Sequence, residues 1–219
     1  DIRVDIGFDS TTFIRNSIAE VEETIVLAFI LVVMIIFLFL RDWRTTFIPV
    51  LTIPISLIGV FFIMYLMDFS INVLTLLGIV LSIGLVVDDA IVVLENIYSR
   101  IEKGENPNTA ASEGSEEIFF AVIATTVALA AVFLPVIFLT GTTGRLFREF
   151  GIVVAGAVII SAFVALTMTP MLSAKLLKKR EKQNAFYNWT EPFFIWLNNL
   201  YEVTLNKFMK IRWSAFAII

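Results

Sequence analysis

The sequence predicts an all-α, polytopic transmembrane helix bundle with five complete spans and an added amphipathic interfacial helix. Composition points there first: 58% of the 219 residues are hydrophobic and only 16% are charged, against about 25% charged in an ordinary soluble domain. Patterning agrees. Uncharged runs cover 24–40, 45–67, 69–87, 118–144 and 150–174, each near or above the roughly 17 to 25 residues needed to cross the hydrocarbon. The basic residues complete the picture, because twelve lie on one side of this five-span arrangement (Arg41, Arg44, Arg100, Lys103, Lys175, Lys178, Lys179, Arg180, Lys182, Lys207, Lys210, Arg212) and four on the other (Arg3, Arg15, Arg145, Arg148). Cytoplasmic loops are the Lys- and Arg-rich ones. The 41–44 turn, the 98–117 loop and everything after Lys175 are therefore expected in the cytoplasm, with the turn near Asp68 and a 141–149 loop outside.

Taken in order, residues 1–9 alternate apolar and polar side chains (Ile2, Val4, Ile6, Phe8) in a short strand pattern. We expect them to end a truncated periplasmic domain; no signal-peptide pattern opens the chain. The bundle then covers 10–182, with spans at about 11–40, 45–67, 71–97, 115–140 and 146–178. Ser10, Thr11 and Thr12 offer N-caps for the first helix, and 41–44 is short enough only for a tight hairpin. Pro54 lies inside the second span and frees the Val50 carbonyl, which predicts a bend. Small residues at Gly78, Ser82 and Gly84 in the third span, and at Gly151, Ala155, Ala157 and Ser161 in the fifth, allow close helix approach. From Phe193 the apolar side chains of Phe193, Trp196, Leu197, Leu200, Tyr201 and Phe208 recur at helical spacing opposite Asn198, Asn199, Glu202, Asn206 and Lys210. Residues 185–210 thus read as a helix in the cytoplasmic interface. The apolar residues from Trp213 read as the start of another span, within 211–219.

Chemistry concentrates at Asp88 and Asp89, adjacent carboxylates at the end of an apolar run, with no Lys, Arg or His in any of the five runs. An ionisable residue at membrane depth is by default a functional-site hypothesis, since even mild insertion scales charge roughly 2.5 to 3.5 kcal/mol for it. Neighbouring helical residues are about 100° apart, so the two acids border one interior cleft without stacking. Asp88 shares a face with Glu95, seven residues and roughly 10 Å further along, and Asp89 with Asn96. Glu95 and Asn96 are candidates for a proton path leading out of the membrane, although Glu95 also suits a simple solvated helix end. Either the pair holds protons or a cation outside these spans neutralises it. Loading and unloading a buried acid switches a local charge and biases helix packing, so a proton relay is the leading reading. Na⁺ binding and an inert hydrogen-bonding pair are the alternatives.

Other chemistry recedes. The chain has no Cys and no His, which removes disulfides, thiolate metal sites and the usual neutral-pH proton carrier. Met168 and Met171 read as apolar packing, Thr125 and Thr126 as hydroxyls bonded within their own helix. No cofactor, no metal and no nucleic acid is implied, and nothing points to an enzyme.

The run Phe69-Ser70-Ile71-Asn72, Leu76-Leu77-Gly78 and Gly84-Leu85-Val86-Val87-Asp88-Asp89-Ala90-Ile91-Val92-Val93-Leu94-Glu95-Asn96 closely resembles the fourth transmembrane helix of resistance-nodulation-division (RND) transporters. Gly141-Thr142-Thr143-Gly144 with Arg148-Glu149-Phe150, and Leu166-Thr167-Met168-Thr169-Pro170, resemble that family's fifth-to-sixth helix junction and sixth helix. The Asp-Asp-Ala form resembles the branch exporting hydrophobic and amphiphilic compounds rather than the heavy-metal branch. The resemblance implies helices two to six and the start of seven, half of a twelve-helix membrane domain, with proton translocation assigned to Asp88 and Asp89. It further implies a basic partner in the missing second half, a homotrimer in the inner membrane, a periplasmic adaptor and an outer-membrane channel. Two other readings stay open: a relative that uses the proton gradient for lipid or protein export, and a non-transporting membrane scaffold.

Overall fold

The computed structural model describes residues 10–178 and 185–210. These form two units, divided near Lys179. The first holds α1 (Ser10–Leu40), α2 (Trp43–Leu66), α3 (Val73–Glu102), α4 (Pro107–Phe133), a 3₁₀ turn (Leu134–Phe138) and α5 (Gly141–Leu176); the second holds α6 (Ala185–Lys210). Among the described residues there is no strand, and five helices are long and apolar enough to cross a membrane. Residues 1–9 and 211–219, expected as a strand and a further span, lie outside the described residues.

Local chemistry sets the joints. The chain reverses between α1 and α2 in two residues, Arg41 at φ +53° and Asp42, whose carboxylate caps α2 by accepting from the Thr45 hydroxyl at 2.7 Å and the Thr45 amide at 3.4 Å. α2 ends in a Schellman turn: the Phe69 amide donates to the Met64 carbonyl at 3.0 Å, with Asp68 in the left-handed region at φ +53°. Asn72 then opens α3 with a capping box, its side chain accepting from the Thr75 amide while the Thr75 hydroxyl accepts from the Asn72 amide. α3 closes on a second Schellman turn at Gly104, φ +103°, a conformation that glycine adopts without a Cβ penalty. Asn106 caps α4 immediately afterwards, with Pro107 at the first helical position.

Two expected loops are therefore mostly helix. Of the 98–117 loop only 103–106 is a turn, and of the 141–149 loop nothing remains, because α5 starts at Gly141. The uncharged runs mark where hydrocarbon ends, whereas the helices continue past it as polar turns held by caps and ion pairs. α2 runs unbroken through both Pro49 and Pro54.

α3 and α5 form the centre. They make the most extensive helix pair in the unit; α5 also packs on α2 and α4, and α3 on α1, α2 and α4. One apolar cluster lies among the α3 C-terminal half, the α4 start and α5 (Val93, Leu94, Ile97, Ile101, Ala110, Ala165). A second joins α2, α3 and α5 at the other end (Val60, Met64, Ile79, Val86, Val153, Ala157). A third ties α1 on through Ile36, Ile53, Ile83 and Val87. α1 and α4 present broad apolar outer faces, the surface that a lipid solvent requires.

Candidate functional site: the carboxylate pair of α3

α3 separates the two acids. Asp89 is 7% exposed, on the face packed against the rest of the unit among Val86, Ala90 and Val93. Asp88 is exposed, on a stripe that runs Leu77, Leu81, Gly84, Asp88, Val92 and Glu95 along the helix. The stripe follows helical spacing, and none of its members is covered by α1, α2, α4 or α5. At Gly84, one turn before Asp88, an added Cβ would meet nothing within 4 Å. The pair thus straddles the edge between a packed face and an open one, rather than lining one closed cleft within these five helices.

The buried side is built by a hydroxyl from α5. Ser161 is 1% exposed and donates to the Val86 carbonyl across the α3–α5 contact at 2.8 Å. Val86 is one turn from Asp89, and the Asp89 carboxyl is adjacent to this hydroxyl and to Asp88. Its buried Oδ2 nevertheless has no hydrogen-bond partner among the described residues, a costly state for a charged oxygen. The Ser161 hydroxyl stands between the Val86 carbonyl and the Asp89 carboxyl and has one proton to give to either of them.

Glu95 and Asn96 diverge as well. Glu95 is exposed on the Asp88 stripe. Asn96 instead clamps α3 to α4, donating to the Gly114 carbonyl at 2.8 Å and to Glu117 Oε2 at 3.2 Å. The clamp needs the glycine: a Cβ on Gly114 would stand 3.3 Å from the Ile97 Cα. Arg100, one turn on, binds Glu105 at 3.1 Å, Glu113 at 2.8 Å and Glu117 at 3.3 Å. This cation is some three turns from Asp88 in sequence and is already shared among three carboxylates.

Ser161 escaped sequence reasoning as a partner of the pair, because in the sequence it is one more small residue in a packing stripe. Its position on α5 becomes informative only once the α3–α5 register is known. Buried hydroxyls at Ser56, Thr169 and Ser173 likewise have no partner among the described residues. Thr125 and Thr126 bond to carbonyls of their own helix, at 2.9 Å and 2.6 Å to Val122.

Comparison with known proteins matches this arrangement to one group. Over 184 residues the chain is 47% identical to the multidrug resistance protein MdtC of Pectobacterium atrosepticum, an alignment that covers 84% of this chain and 18% of that relative. A sequence model of the AcrB/AcrD/AcrF family matches residues 1–219. With five membrane-length helices, the Asp-Asp pair on the central one, and both matches in agreement, the chain belongs to the AcrB/AcrD/AcrF family of RND multidrug efflux proteins.

Proposed function

We propose that this chain is part of the membrane domain of a proton-driven antiporter that exports hydrophobic and amphiphilic compounds, and that Asp88 and Asp89 are its proton relay. One observation carries the reading: Asp89 is buried with an unpartnered Oδ2, beside an Asp88 that stands on an uncovered helix face. Asp88 is placed to meet a group from outside these five helices, while Asp89 is placed to report its charge to α5 through Ser161 and Val86. Proton loss leaves a buried charge beside Ser161 that favours a different α3–α5 packing or an approaching cation. Glu95 lies on the same open stripe and extends the path toward the polar end of α3.

The basic partner comes from the second membrane half of the intact protein. The chain spans less than a fifth of the length of the curated relative it matches, so the transported compounds, the homotrimer, the periplasmic adaptor and the outer-membrane channel belong to that whole. The location is the inner membrane, with α6 lying in the cytoplasmic interface.

The test is Asp88→Asn and Asp89→Asn, separately, in the full-length protein. Each keeps the side-chain shape and removes the titrating proton, so each is expected to abolish gradient-driven efflux at unchanged membrane abundance and assembly. Efflux at the wild-type rate by either variant, at matched abundance, overturns a shared relay.

A further inference from the structure

Several hydroxyls in these helices settle on their own backbone. Thr24, Ser82, Thr126 and Thr167 each donate to the carbonyl four residues back, at 2.6 to 2.7 Å, the usual local bond of Ser and Thr within a helix. Thr169 and Ser173 of α5 do not. Both are 0% exposed, and neither hydroxyl oxygen has a hydrogen-bond partner among the described residues. They stand one turn apart on one side of α5, with Pro170 between them. Proline has no N–H, so the Leu166 carbonyl loses the donor that residue 170 would otherwise bring to it. Three polar groups thus gather at one turn of a packed helix. Their surroundings offer nothing in return: Ala165 and Leu177, which bracket the two hydroxyls along α5, belong to an apolar cluster with Ile97, Ile101, Ala110 and Ala111.

We propose that this turn binds buried water, held between the Thr169 and Ser173 hydroxyls with the Leu166 carbonyl as a further partner. An internal water typically makes about three hydrogen bonds to buried polar groups that would otherwise lack them, and three such groups meet here. Water both donates and accepts, so it serves a carbonyl and two hydroxyls at once. Four residues of helix separate the two side chains by roughly 6 Å along the axis, about twice the length of a hydrogen bond, so a single molecule reaches both. Because these helices alone cover both hydroxyls completely, no other part of the intact protein reaches them to supply a partner. The site is separate from the carboxylate pair: Thr169 lies eight residues, roughly 12 Å, along α5 from Ser161, with buried Ala162 and Ala165 between. It does not depend on the relay.

The test uses the full-length protein in lipid nanodiscs and reads both position and stability. A cryo-EM map fine enough to show ordered water is expected to hold a density within hydrogen-bonding distance of both Thr169 Oγ1 and Ser173 Oγ. A map that shows ordered water at other buried polar groups and none here overturns the proposal. Thr169→Val and Ser173→Ala each remove one hydroxyl with little change of shape, so both variants are expected to fold. Hydroxyls that stand dry are unpaired buried groups, and removing either one would raise the thermal unfolding midpoint. With shared water each change is expected to lower the midpoint instead. The double variant is then expected to fall by less than the two single shifts added together, because the water is already lost with the first hydroxyl. A raised midpoint for either single variant overturns the proposal, and so do additive shifts across the cycle.

Discussion

Glu95 and Asn96 are adjacent in the sequence, yet α3 sends one to the open stripe below Asp88 and the other into the α4 contact. Their substitutions should therefore separate. Asn96→Ala removes the bond to the Gly114 carbonyl, an interaction of about 1 kcal/mol, and is expected to lower the thermal unfolding midpoint of the full-length protein. Glu95→Gln removes a charge from an exposed position and is expected to leave that midpoint where it was, while slowing proton-coupled efflux if Glu95 serves the path. Thermal shifts measured side by side check the pair; an unchanged midpoint for Asn96→Ala would mean the clamp contributes nothing. The sequence shows both residues as polar groups at helical spacing from the aspartates, and α3 keeps that spacing. It holds no information on which face of α3 other helices cover, because burial is a property of the packed bundle. For the same reason the sequence offers Asp88 and Asp89 as a candidate pair, but not their division into one exposed and one buried acid.

At the scale of elements, α2 and α5 pack by exchanging isoleucines for glycines. A Cβ on Gly59 would lie 2.9 Å from the Ile160 Cγ2, and a Cβ on Gly156 would lie 3.0 Å from the Ile63 Cδ1. Each helix supplies one hollow and one knob, which fixes the register of the two helices, since sliding either one puts an isoleucine against a filled position. Without a hydrophobic driving force between helices in lipid, such close fit is the main source of specificity. Gly59→Ala is expected to destabilise by roughly 1–3 kcal/mol through overpacking, and Gly59→Ala with Ile160→Val by less than the two single changes added together. Additive effects in that double-mutant cycle, read from unfolding of the purified protein, would show that Gly59 and Ile160 are not coupled. The small-residue stripes of the third and fifth spans point to close helix approach, and Gly78 does face Phe150, Val153 and Val154 of α5. Gly84, in the same stripe, faces open space instead. A stripe records that something approaches closely, and not which neighbour does.

For the molecule as a whole, the two short turns at 41–42 and 103–106 must lie on one side of the membrane, and those at 67–72 and 139–140 on the other, because α1 to α5 alternate in direction across it. Which side is which follows from charge. The turns and helix ends at Arg41, Arg44, Arg100 and Lys103 belong to the basic group of twelve, and cytoplasmic segments are the ones so enriched. The helix ends lie further out than the uncharged runs suggest, so α3 and α4 reach beyond the hydrocarbon as a polar hairpin. Arg100 and its three glutamates stiffen that hairpin, and its tip at 103–106 should be well exposed to the cytoplasm. Charge in the sequence predicts the side of this segment but hides its helices, since charged residues end an apolar run without ending a helix. A cysteine replacing Asn106 at the tip is therefore expected to resist a membrane-impermeant thiol reagent in intact cells and to react once the membrane is opened. A cysteine replacing Asp68 is expected to react from outside in both conditions, and this stretch has no native cysteine to confuse the readout. Labelling at 106 from outside intact cells would invert the bundle and turn the Glu95 end of the open stripe toward the periplasm.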